Sequence, residues 1–164
     1  MSINKTCFRN LLLQDTVSRQ LSHSFNSGRI AQTYLFAGSP STGRLPAARA
    51  FAALLQCDNP VTADGLAADA CGICESCRRI AADSHPDVTI VRPDGNEIRI
   101  DQVRALQETA ALKPGTGRWL IFILDPADRL NQSSANSLLK ILEEAPSHVV
   151  FILIARETGA ILPT

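Results

Sequence analysis

Four short apolar runs along the chain predict buried β-strands, at about 32–37, 87–91, 119–125 and 149–154. Their residues are apolar in succession, without a regular alternation of apolar and polar positions. Such runs are typical of parallel strands that are covered on both faces of a sheet. We therefore expect a parallel sheet that is buried between two layers of helices.

Between these runs, apolar residues recur at the three- and four-residue spacing of amphipathic helices. Arg49, at the edge of one apolar helix face, is expected to carry its charge out to solvent. The stretch 58–70 is rich in small residues and is expected to form a loop. Helices are predicted at about 8–28, 42–56, 71–82, 100–112 and 132–144. The alternation of strands and helices predicts an α/β fold.

Composition and charge narrow the class of protein. The chain has 164 residues, of which 45% are hydrophobic and 20% charged, with a formal net charge of zero. Such a chain is expected to form one globular domain with a small insertion at 57–82. A net charge of zero provides no general electrostatic attraction for nucleic acid. No apolar stretch is long enough to span a bilayer and no signal peptide is evident, so we expect a cytoplasmic protein without a membrane partner.

The segment between the first strand and the next helix has the glycine spacing of a phosphate-binding loop. Gly38 and Gly43 are separated by four residues, as in the pattern G-x-x-x-x-G-K-[ST]. The lysine position holds Arg44, however, and the hydroxyl position holds Leu45, which cannot bind Mg²⁺. We therefore expect Gly38, Gly43 and Arg44 to form a degenerate phosphate loop. An ordinary flexible turn, weak residual nucleotide binding and an ATPase in which Arg44 replaces lysine stay open as alternatives.

A second position has also lost a group that hydrolysis needs. The apolar run at 119–125 ends in Asp125, where phosphate-loop enzymes place an acidic residue beside Mg²⁺. The next residue is Pro126, which can neither bind a metal nor polarise water. Asp125 is therefore expected to serve as a strand-end or helix-capping carboxylate. We predict no catalytic residues and no ATP cofactor.

Four of the five cysteines form a pattern typical of a metal site: Cys57, Cys71, Cys74 and Cys77. Four thiolates close a tetrahedral zinc site and leave no position open for a substrate, so we predict a structural Zn²⁺. An iron–sulfur cluster and idle thiols are the alternatives. A separate zinc-bearing DNA-binding module is also conceivable, but the neutral charge argues against it. Cys7 stands apart and is expected to be a free, partly buried thiol.

Together these motifs, in this order, resemble the clamp-loader branch of the AAA+ family in bacterial DNA polymerase III. The resemblance covers nearly the whole chain. It rests on the segments 32–38, 85–87, 135–146, 148–153 and 161–164 and on the four-cysteine insertion. It implies a RecA-like phosphate-loop domain, here the N-terminal AAA+ domain of a longer protein.

Within that family, Arg44, Leu45 and Pro126 resemble the delta-prime branch, since the gamma/tau branch keeps the lysine, the threonine and an Asp-Glu pair. The resemblance implies a non-catalytic, stator-like subunit that helps to load the sliding clamp onto primed DNA. Its partners would be the gamma/tau and delta subunits, with the clamp and DNA reached through the complex. A gamma/tau-type motor with a modified loop is the alternative.

Overall fold

Four parallel strands form the central sheet of the computed structural model, which describes residues 6–11, 15–157 and 159. The strands are β1 (Thr33–Ala37), β4 (Val88–Val91), β5 (Leu120–Leu124) and β6 (Val149–Ala155), and their order across the sheet is β1-β6-β5-β4. All three pairings are parallel, with Phe122 of β5 opposite Phe151 of β6. The predicted parallel sheet is confirmed.

Helices cover both faces of this sheet. They are α1 (Asp15–Asn26), α2 (Arg44–Gln56), α4 (Ile100–Ala110) and α5 (Gln132–Glu144), while α3 (Glu75–Ala81) packs against α2 in the cysteine insertion. Phe122 and Phe151 pack on one face with α4 and α5. Ile121 and Ile152 pack on the other face with α1 and α2. Every residue of β5 and β6 is buried, which explains why neither strand alternates with polar positions.

The region predicted to be a loop contains a β-hairpin, so that prediction was wrong. β2 (Val61–Ala63) pairs antiparallel with β3 (Leu66–Asp69). The turn between them is Asp64-Gly65, and both residues have positive φ, 53° and 79°. An Asp-Gly pair is a strong signal for a two-residue hairpin turn, because glycine adopts positive φ without a steric penalty. The small residues around the pair concealed that signal.

Two further predictions changed in detail. The first helix begins at Asp15 and is preceded by a short 3₁₀ turn at Phe8–Asn10, while residues 12–14 of the predicted helix lie outside the described residues. Helix α3 begins at Glu75, later than predicted, because the Cys74 sulfur caps it by accepting the N–H of Cys77. The other helices and strands agree with their predicted bounds to within about two residues.

Arg49 does not carry its charge into solvent as expected. Its guanidinium donates to the Asp83 carboxylate at 2.6 Å, and the Arg49 side chain is only 18% exposed. The ion pair joins α2 to the turn after α3, which the spacing of apolar residues could not reveal.

None of the helices that the structure describes is both long and apolar enough to cross a lipid bilayer.

Candidate metal centre and phosphate-binding loop

The structure places the glycine-rich segment between a strand and a helix, as a phosphate loop requires. β1 ends at Ala37, and the N–H of Gly38 donates to the carbonyl oxygens of Ala155 and Arg156, each at 3.2 Å. Gly38 has φ 151° and Gly43 has φ 71°, conformations that favour glycine. Gly43 directly precedes α2, so the loop delivers the chain to the helix N-terminus.

Arg44 is the first residue of α2, and its side chain turns back into the protein. Its Nη1 donates to the carbonyl oxygen of Ala155 at the end of β6. A cavity of about 280 Å³ lies here, lined by Gly43, Arg44, Asp125 and Arg156 among others. The guanidinium charge is thus partnered by a protein carbonyl at the mouth of the loop.

Asp125 lies at the carboxyl end of β5, beside the same cavity. Burial raises the pKa of the Asp125 carboxyl, although the positive charges of Arg44, Arg92 and Arg49 act in the opposite direction. Leu45 packs partly buried against the apolar face under α2. The positions that would hold Mg²⁺ and polarise water therefore carry one carboxylate and two apolar side chains, Leu45 and Pro126.

The four predicted cysteines come together beside the end of α2. Cys57 follows α2, Cys71 and Cys74 lie in the turn before α3, and Cys77 lies within α3. Their sulfur atoms all lie within 4.8 Å of one another. Three S···S distances are short: Cys57–Cys74 at 4.0 Å, Cys71–Cys77 at 3.9 Å and Cys57–Cys77 at 3.8 Å. The four cysteines could hold one metal ion.

Backbone N–H groups point at these sulfurs. The N–H of Cys71 donates to the Cys57 sulfur at 3.3 Å, and the N–H of Cys74 donates to the Cys71 sulfur at 3.3 Å. Burial raises the pKa of Cys57 to about 11. Burial also acts to raise the pKa of Cys71, but N–H donors from Ile73 and Cys74 outweigh it and lower that pKa to about 7. N–H···S bonds of this kind stabilise thiolates, the form that binds metals.

Cys7 lies outside the sulfur cluster but close to the insertion. Its side chain is fully buried, more so than expected, and its Sγ lies 3.5 Å from the Ala70 carbonyl oxygen. No disulfide forms among the described cysteines. Cys7 is thus a free thiol, as predicted.

Two buried carboxylates were missed by reasoning from the sequence. Asp87 accepts the N–H groups of Gly115, Thr116 and Gly117 and so fixes the loop before β5. Asp69 accepts the N–H groups of Phe8 and Arg9. In the sequence, His85-Pro86-Asp87 is only a short motif before a strand, because the partners of Asp87 lie 28 or more residues away.

Comparison with known proteins gives a consistent picture. A family described as "DNA polymerase III, delta subunit" matches residues 13–164. The chain is 35% identical over 158 residues to DNA polymerase III subunit gamma/tau of Mycobacterium bovis. It is 35% identical to DNA polymerase III subunit delta' of Bacillus subtilis over 152 residues and 38% identical to that of Pseudomonas aeruginosa over 136 residues.

These matches cover 96%, 93% and 82% of the chain but only 26%, 44% and 40% of the respective relatives. The chain therefore spans less than half the length of each of these proteins. A DNA polymerase III gamma subunit-related protein of Thermotoga maritima has a similar fold, with a TM-score of 0.57 at 20% identity. That alignment covers 91% of the chain and 41% of the solved structure.

Proposed function

Because the chain belongs to the DNA polymerase III delta subunit family, we propose that it acts in the clamp loader of the DNA polymerase III holoenzyme. Its role there is that of a delta-prime subunit, which helps to load the sliding clamp onto primed DNA during replication. Two relatives named delta', at 35% and 38% identity, support this assignment. The partners are then the gamma/tau and delta subunits, and the clamp and DNA are reached through the complex.

We further propose that the chain is a non-catalytic, stator-like subunit. The observation that carries this proposal is the position of Arg44, whose guanidinium bonds the Ala155 carbonyl at the mouth of the loop. Leu45 and Pro126 add to it, because neither offers a ligand for Mg²⁺ or a group that activates water. A subunit that does not hydrolyse ATP can lose these groups while it keeps the fold that forms its interfaces.

The test is titration of the protein with ATP in the presence and absence of Mg²⁺, together with a phosphate-release assay. The gamma/tau subunit of the same complex serves as the positive control. We expect neither Mg²⁺-dependent binding nor turnover. Tight binding that requires Mg²⁺, accompanied by turnover, would overturn the non-catalytic proposal.

That result would favour the second candidate, an ATP-hydrolysing gamma/tau-type motor with a modified loop. One observation speaks for it: the gamma/tau relative is as similar to the chain, at 35% identity, as one of the delta' relatives. The delta-prime role itself is tested by co-purifying the full-length protein with delta and gamma/tau. Failure to assemble with either subunit would exclude it.

For the cysteine cluster we propose a structural Zn²⁺ bound by Cys57, Cys71, Cys74 and Cys77. A tetrahedral site with Zn–S bonds of about 2.3 Å has S···S separations of about 3.8 Å, and three observed separations are 3.8–4.0 Å. Metal analysis of the purified protein should find one zinc per chain. Cys7→Ser should keep that zinc and Cys74→Ser should weaken its binding. If the wild-type protein is purified without zinc and its four cluster thiols react with an alkylating reagent, the proposal is refuted.

A further inference from the structure

The first described segment, residues 6–11, is fastened to the cysteine insertion. Asp69, at the end of β3, accepts the N–H of Phe8 at 2.8 Å and the N–H of Arg9 at 3.1 Å. The Asp69 side chain is only 9% exposed, so these bonds are largely shielded from water. The N–H of Ala70 also donates to Asp69, at 2.8 Å. This carboxylate therefore joins the segment to the chain that leads directly into Cys71.

The Arg9 guanidinium extends this connection by one residue. Its Nη1 donates to the Ala70 carbonyl oxygen at 3.3 Å, and its Nη2 donates to the Cys71 carbonyl oxygen at 3.0 Å. The Asp69 carboxylate lies 3.4 Å from the same Nη1 and helps to orient the guanidinium. Arg9 thus bridges two consecutive peptide groups on the approach to the sulfur cluster.

Both of these peptide groups direct their N–H toward a sulfur. The group formed by Ala70 and Cys71 donates its N–H to the Cys57 sulfur at 3.3 Å. The next group, formed by Cys71 and Gly72, donates its N–H to the Cys77 sulfur. A cation at a carbonyl oxygen polarises the peptide and strengthens the N–H as a donor at its other end. The Arg9 guanidinium is therefore placed to strengthen the N–H groups that face two of the four sulfurs.

We propose that Arg9 is a positioning residue of the metal centre, which holds and polarises the two peptide groups that support Cys57 and Cys77. This inference rests on the proposed zinc site. A divalent ion with four thiolates carries a net charge of about −2, so a nearby guanidinium and strengthened N–H donors both favour the metal-bound state. Loss of such supporting groups typically lowers metal affinity about 10- to 100-fold.

The same contacts link the metal to the position of residues 6–11. If docking of this segment favours metal binding, metal binding favours docking by the same factor, because the two equilibria are thermodynamically reciprocal. Removal of the metal should therefore loosen the bonds from Phe8 and Arg9 to Asp69.

The test measures the Zn²⁺ affinity of the whole chain by competition with a chromogenic chelator. Arg9→Met keeps most of the aliphatic stem but removes the donors, and we expect it to weaken Zn²⁺ binding about tenfold. Arg9→Lys keeps the charge and one donor group, so it should recover part of the loss. Arg104→Met removes an arginine that is 64% exposed on α4 and should leave the affinity unchanged.

Hydrogen exchange of the wild-type protein with and without Zn²⁺ gives a second measurement. The Phe8 and Arg9 amides should lose protection when the metal is removed. The Gly115 and Gly117 amides, which Asp87 holds in another loop, should not.

The outcomes separate this proposal from the zinc assignment. A wild-type chain that binds no Zn²⁺ would refute both. A wild-type chain that binds Zn²⁺, with equal affinity in Arg9→Met and unchanged exchange at Phe8 and Arg9, would refute only the role of Arg9. Equal losses in Arg9→Met and Arg9→Lys would also contradict it, since charge would then contribute nothing.

Discussion

Replacement of Asp87 by asparagine should destabilise the fold through the loop that precedes β5. Asp87 is only 4% exposed and lies just before β4. Its carboxylate accepts the N–H groups of Gly115 at 2.6 Å, Thr116 at 2.8 Å and Gly117 at 2.7 Å, and the Thr116 hydroxyl at 2.9 Å. An asparagine side chain offers one acceptor oxygen, and its NH₂ group would face N–H donors.

The size of the effect follows from these bonds. Three of the four bonds go to Oδ2 and only the Gly115 bond goes to Oδ1, so an asparagine whose oxygen takes the Oδ2 place loses the Gly115 bond. A hydrogen bond to a charged group contributes about 1.5–3 kcal/mol, and the three remaining bonds are also weakened because they lose a charged acceptor. We therefore expect the free energy of unfolding to fall by about 2–4 kcal/mol, measured by urea denaturation at pH 7. Asp101→Asn is the matched control: that side chain is 87% exposed, and the change should stay within about 0.5 kcal/mol.

The pH dependence tests the same reasoning independently. Burial acts to raise the pKa of Asp87, but the loop N–H groups outweigh it, so the pKa lies below its ordinary value of 3.8. A carboxyl whose pKa is lowered by folding stabilises the protein above the unfolded-state pKa, and this contribution is lost as the pH falls through the folded-state pKa. The difference between wild type and Asp87→Asn should therefore shrink below about pH 4. A difference under about 1 kcal/mol at pH 7, or one that does not shrink in acid, would refute this account.

Three further predictions concern the core, the metal and the loop. Phe122→Ala should lower the free energy of unfolding by about 3–5 kcal/mol in urea denaturation, because Phe122 is fully buried and stacks on Phe151 with ring centroids 5.3 Å apart. The control Leu35→Ala, at a 42% exposed position, should lower it by less than about 1 kcal/mol. Chelation of zinc should lower the melting temperature, and an unchanged melting temperature would contradict this prediction. The circular dichroism signal of the main sheet should persist, since the insertion packs as a separate small cluster. Arg44→Lys alone should not produce phosphate release, because Leu45 and Pro126 stay in place; turnover by this variant would show that they are compatible with catalysis.

The main sheet could be predicted from the sequence because its signals are local. β5 and β6 are runs of consecutive apolar residues, and complete burial on both faces is what such runs require. The four cysteines could likewise be grouped, because three of them lie within seven residues and Cys57 closes the set. Burial and close ligand spacing both leave a pattern that can be recognised without knowledge of the fold.

The supporting contacts could not be predicted, because their partners are distant in sequence. Asp69 meets Arg9 across 60 residues, and Asp87 meets Gly115 across 28. The sequence alone does not distinguish Asp69 or Asp87 from an exposed aspartate such as Asp101. Only the fold shows that Asp69 and Asp87 are buried, and burial is what makes their hydrogen bonds to the backbone important for stability.

The loop between β1 and α2 places the cation of Arg44 at a helix N-terminus. A positive side chain in the first turn of a helix is unfavourable by about 0.3–1 kcal/mol, because the helix dipole places positive charge there. In an active phosphate loop, the nucleotide balances both charges. Here the Arg44 guanidinium leaves the helix end and bonds the Ala155 carbonyl, and the Asp125 carboxyl lies beside the same cavity. The Gly38 N–H donates to that same carbonyl, so contacts within the protein join the loop to the end of β6.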